Sequence, residues 1–170
     1  LKLPLNSSIY ASREASARLD ALLRDDPDVE RWSTYAGRGA VRFYLPLDVQ
    51  LPNDYFAQAV VVTRGIEQRE RVRARLEQAL DTDFPGLVGR IYPLELGPPV
   101  GWPLQYRVSG PDLEQVREIV FRLASIMGSD AAVQRLNYNW IEPARTIRIR
   151  VDQDQARILG LASQDIAQSL

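Results

Sequence analysis

The 170-residue chain carries 21 Lys and Arg against 22 Asp and Glu, a net charge of −1, which argues against the basic footprint of a general nucleic-acid binder. It has no cysteine and no histidine, so disulfides and thiolate chemistry are excluded and the commonest metal ligand and near-neutral general base are missing. Lys2 is the sole lysine, 45% of the residues are hydrophobic, and no run approaches the roughly 20 apolar residues of a membrane helix.

Residues 1–5 read as the tail of a strand, ended by Pro4 and the polar Asn6, Ser7 and Ser8, either serine suiting a helix N-cap. Ala11, Ala15, Leu19, Leu22 and Leu23 recur at helical spacing and predict a helix over 9–24. It should close at Asp25 and Asp26, because Pro27 disfavours the helical conformation in the residue before it. A strand is expected over 29–35, broken by Gly37-Arg38-Gly39. Residues 40–55 hold Phe43, Tyr44, Leu45, Leu47, Val49, Leu51 and Tyr55 but are interrupted by Pro46 and Pro52. Proline confines a strand to an edge or bulge, so this stretch reads as a long, aromatic, partly extended loop, and loops of that length are usually functional.

Residues 56–63 form the cleanest predicted strand. Gly65 precedes a charged helix over 66–81, with Val72, Leu76, Ala79 and Leu80 on one face and a solvated face of Glu and Arg. A fourth strand is expected over 87–96. The run GPPVGWP at 97–103 is a turn and linker signal and marks the boundary between two units, 1–97 and 98–170.

The second unit repeats the phrase. A strand is expected over 104–109, then a helix over 113–127 capped by Asp112. Leu113, Val116, Val120, Leu123 and Met127 form its stripe, widened by Ile119 and Ile126. A strand over 132–140, a turn at Glu142-Pro143 and an alternating strand over 146–151 follow. Asp152 caps a helix over 153–159 that Gly160 ends, and Ser163 caps a last one running to the C-terminus. The segment Asp28-Val29-Glu30-Arg31-Trp32 has its counterpart at 130–136. The expected fold is α+β: two ferredoxin-like βαββαβ units in tandem, the second truncated before its last strand, and so a piece of something larger.

The segment GPPVGWPLQYRVSGPD, followed by helix, strand and TIRIRVDQDQARILGLASQDI, resembles the resistance–nodulation–division efflux transporters, in part of their second large periplasmic loop. VDQDQARILGL followed by Ser-Gln-Asp-Ile is the most specific piece. Upstream, LPLNSSIYASREASARLDALL resembles the start of the same loop. The resemblance implies that 1–97 is most of the first porter subdomain of the transporter's C-terminal half and 98–170 the first part of the second. It implies a homotrimer in a bacterial inner membrane, working with a periplasmic adaptor and an outer-membrane channel and exporting hydrophobic or amphiphilic small molecules. The fragment itself would be periplasmic and no enzyme. The flexible loop between the family's two substrate pockets would fall within 35–56 here, and the proton-relay residues would lie outside the chain.

On that reading the expected substrate-binding residues are Trp32, Tyr35, Phe43, Tyr44, Tyr55 and Phe56. Aromatic rings bury large area and stack on flat ligands with loose geometric demands. Core packing is the competing reading for Trp32 and Phe56. Gly37 and Gly39 are the candidate loop hinge, with a plain turn as the alternative. Asp152 and Asp154 read as helix capping, with no third ligand for a cation. Arg148 and Arg150 share one strand face, and Trp102 reads as a packing anchor for the linker. No catalytic residue, metal, cofactor or nucleic-acid partner is expected. The alternative function is a soluble ferredoxin-like module for small-molecule sensing or assembly; an autonomous hydrolase ranks behind both.

Overall fold

Helix α1 (Ile9–Arg24) begins where Ser8 Oγ accepts a hydrogen bond from the Ala11 N–H at 3.4 Å, one of the donors that a helix start leaves unpaired. It anchors a computed structural model that describes residues 1–98, 101–139 and 144–169. The chain is α+β. Strands β1 (Val29–Ala36) and β2 (Ala57–Thr63) pair antiparallel, helix α2 (Ile66–Asp83) follows, and α3 (Leu113–Gly128), α4 (Gln153–Ile158) and α5 (Ser163–Gln168) complete the order.

Register decides which strand residues meet the helices. Trp32 lies opposite Val61, Thr34 opposite Ala59 and Tyr35 opposite Gln58, and directly opposed side chains share a face. Asp20 of α1 accepts hydrogen bonds from Trp32 Nε1 at 2.7 Å and from the Thr34 hydroxyl. Trp32 and Thr34 therefore face α1, and Tyr35 and Gln58 face away. The core forms on the helix side. Leu23, Val29, Val72 and Leu76 are buried together, with Leu19, Trp32, Val61 and Ile91 packed around them. Phe84, 2% exposed, sits just after α2 under the Arg18 guanidinium, 5.1 Å from its ring centre.

The sheet continues beyond β2 through isolated bridges. Lys2 bridges Phe56 on one side and Val88 on the other, both antiparallel. Leu3 N donates to Tyr55 O at 2.8 Å, and Lys2 and Val88 exchange N–H···O bonds of 2.8 and 2.9 Å. Leu1 N donates to Ala57 O at 2.8 Å.

Two acidic residues of the α1–β1 turn hold α2. Arg75 places Nε 2.9 Å and Nη2 2.6 Å from the Asp26 carboxylate and Nη2 2.7 Å from Asp28, while Arg71 Nη2 reaches Asp28 at 2.6 Å. Hydrogen bonds from Arg71 and then Arg75 hold the Asp28 carboxyl at about 2, below its usual 3.8. A carboxylate depressed in the folded state stabilises fully above its unfolded pKa and loses that contribution as pH falls through the folded one. The thermal midpoint should therefore drop as pH falls from about 4 to about 2. The Arg71→Gln/Arg75→Gln variant should show a visibly smaller drop in the same melting series. Both arginines are solvated, so the effect is modest.

The remaining expected strands do not form. Residues 87–96 contribute only the bridge at Val88, and 104–109, 132–139 and 146–151 run without a ladder. Neither unit builds a four-stranded sheet among the described residues. Alternation marks a segment able to lie half-buried on a sheet, but it cannot supply the neighbouring edge that a strand needs. Helix α3 has the predicted stripe and buries none of its residues. Phe121 meets Tyr138 edge-on at 5.7 Å. Arg135 donates through Nη2 to Glu77 O of α2 at 2.9 Å. Asp112 caps α3 and Asp152 caps α4, each accepting two backbone N–H bonds. Ser163 is the first helical residue of α5 and Ala162 its cap position, a one-residue correction. The linker residues Pro99 and Val100, the strand end Trp140 and the turn Glu142-Pro143 lie outside the described residues.

Candidate ligand-binding surface

The two glycines before the aromatic loop are needed where they stand. Gly37 has φ +73, and a Cβ there would lie 2.2 Å from Ile9 Cδ1. Its N–H donates to Phe56 O at 2.7 Å and its carbonyl accepts from Asn53 N at 2.9 Å, closing the base of the loop across its two ends. At Gly39 a Cβ would meet Gln50 Cβ at 2.8 Å and Gln58 Oε1 at 2.9 Å. Gln58 Oε1 also accepts from Ala40 N at 2.7 Å. The loop start is thus pressed onto the sheet face away from the helices, and buried Ala40 and Leu47 hold it there.

From that base the aromatics diverge. Phe43 is exposed and stands 5.4 Å, ring to ring, from half-buried Tyr44. Tyr55 borders an open cavity of about 970 Å³ with Asn6, Ser8, Asp48, Leu51 and Asp54, a largely polar wall. Phe56 is half-buried beside the Lys2 bridge. Tyr35 lies opposite Gln58 on the same sheet face as the loop start. Trp32 is on the helix side, packed against the core and bonded to Asp20. The six residues therefore fall on both faces of the sheet. Phe43 and Tyr44 form a pair, and Trp32 is separated from them.

A second group emerges from the linker. The Arg90 guanidinium lies 4.4 Å from the Tyr92 ring centre and 5.7 Å from that of Trp102, and Glu95 stands 3.6 Å from it. Burial pushes the Tyr92 hydroxyl up; Arg90 opposes this, and the charges of Asp48 and Glu95 and the Tyr44 hydroxyl add to it. Sequence reasoning placed Arg90 and Tyr92 in a strand and Trp102 in a packing role. The available signal was three ring- or guanidinium-bearing residues flanking a proline-rich turn. Together the two groups supply stacking faces, one guanidinium and a polar cavity wall, the equipment of a binding surface.

Among the described residues no helix is long and apolar enough to cross a membrane, and no group of three or more acidic side chains could hold a metal ion. No protein-family model matches the chain, and no curated protein matches it.

Proposed function

We propose that the chain is a periplasmic porter fragment of a resistance–nodulation–division efflux transporter, lining the entrance and cleft through which hydrophobic or amphiphilic compounds pass. The observation that carries this reading is the proline-broken loop at 40–55. It is closed at its base by Gly37, Asn53 and Phe56, carries the paired rings of Phe43 and Tyr44, and lines an open cavity with Tyr55. A tolerant carrier needs rings on a surface, where flat ligands of varied shape gain area without strict geometry.

The ferredoxin-like organisation of each unit belongs to the same proposal. Its support comes from the first unit alone, in the bridge order Val88–Lys2–Phe56 leading into β2 and β1, with α1 and α2 as the crossovers of a split βαβ unit. The homotrimer, the adaptor and the outer-membrane channel are the partners this reading requires, and the bacterial inner membrane its location. Apolar runs of about 20 residues in the flanking reading frame would favour the pump; an attached enzyme domain would favour the sensing module.

The binding test uses the chain itself with the neutral dye N-phenyl-1-naphthylamine. Its emission should rise on binding, and Phe43→Ala with Tyr44→Ala should weaken the affinity by about five- to tenfold. A folded chain that leaves the dye's spectrum unchanged overturns the reading.

A further inference from the structure

A guanidinium offers five N–H donors in a planar fork, and stacking on an aromatic ring consumes none of them. Arg90 stacks on Tyr92 and, more loosely, on Trp102. Its carboxylate neighbour Glu95 stands at 3.6 Å, against contacts of 2.6 and 2.7 Å that Arg71 and Arg75 make with Asp28. The Arg90 side chain is 27% exposed, so solvent reaches it between the two rings that flank it. Among the described residues, the fork is flanked by the two rings with its hydrogen-bonding capacity largely unspent.

We infer that Arg90, Tyr92 and Trp102 form a subsite for planar aromatic anions, arenes bearing a carboxylate or sulfonate. The anionic group takes the Arg90 fork in place of Glu95, and the arene lies against Trp102, the looser of the two stacks. Charge decides against the other ligand classes. An aromatic cation must displace Arg90 from both rings or sit beside its charge. A neutral arene gains stacking alone, whereas an anion adds charge-assisted bonds, the stronger kind. The inference rests on the proposed binding role of this surface and narrows it, at this subsite, to anionic amphiphiles.

Calorimetric titration of the chain with 2-naphthalenesulfonate, the isosteric neutral 2-naphthalenesulfonamide and 2-naphthylmethylammonium tests it. The sulfonate should bind about tenfold tighter than the sulfonamide. Arg90→Met should bring the two together, and Glu95→Gln should tighten the sulfonate alone by removing its competitor. Where Arg90→Met fails to fold, Arg90→Lys supplies the comparison, since it keeps the charge and loses the planar fork. Equal binding of sulfonate and sulfonamide, tighter binding of the ammonium, or a preference that survives in a folded Arg90→Met chain overturns the inference and leaves the broader role standing. Failure of all three compounds to bind removes both.

Discussion

Replacing Leu23 with alanine should destabilise the chain by about 3 kcal/mol, within the range for emptying a well-packed aliphatic site. Leu23 is 1% exposed, the largest aliphatic among the fully buried side chains. It sits in the last turn of α1, and its cluster partners come from other elements, Val29 from β1 and Val72 and Leu76 from α2. A cavity walled by three separately anchored elements cannot close by moving one of them, so little of the transfer loss is recovered. Leu22 is the internal control. It precedes Leu23 in the same turn and is exposed, so Leu22→Ala should change stability by less than about 1 kcal/mol. Urea denaturation followed by far-UV circular dichroism separates the two, the m-value staying constant while the midpoint falls. If both variants unfold at the same midpoint, the core does not lie where α1, β1 and α2 meet.

The same comparison of neighbours explains what the sequence disclosed. Helix α1 was legible to its last residue because three signals coincide: the serine cap, the spacing of Ala15, Leu19 and Leu23, and Pro27 beyond the end. Strands β1 and β2 were legible to within a residue because their partners are close in the chain and both lie on the core. Residues 146–151 alternate more cleanly than either, yet Ile147 is 92% exposed. Periodicity reports what a segment can bury, and pairing depends on an edge elsewhere in space. The site shows the same limit. That Trp32 turns towards Asp20 follows from a register that sequence does not specify, so its separation from Phe43 and Tyr44 was not readable. The Arg90 stack depends on Trp102 lying within 5.7 Å of the guanidinium, and no spacing rule encodes that proximity.

Hydrogen exchange should divide the chain sharply between these two regimes. Amides of α1 and β2 should exchange only through global unfolding, because their residues contribute to the shared core. Amides of α3 should exchange at least about 100-fold faster. The helix is well capped by Asp112, whose carboxylate accepts from Glu114 and Gln115 N–H groups, but it buries none of its residues. Capping contributes about 1 kcal/mol, and a helix of this length with so little tertiary packing is marginal in water. The whole-molecule surface points the same way. The chain exposes 12977 Å², whereas a compact monomer of 19.2 kDa exposes about 8,400 Å². Apolar side chains are part of that surface, with Ile119, Phe121 and Ile126 of α3 exposed alongside Ile147, Ile149, Ile158 and Leu159. Surface of this kind contributes nothing to folding until it is covered, so the protection of α3 measures directly whether anything covers it. Peptide-level exchange read by mass spectrometry gives the ratio. Protection of α3 equal to that of α1 would mean that its apolar stripe is buried in solution, and that the free energy holding it is shared with the core formed by Leu23, Val72 and Leu76.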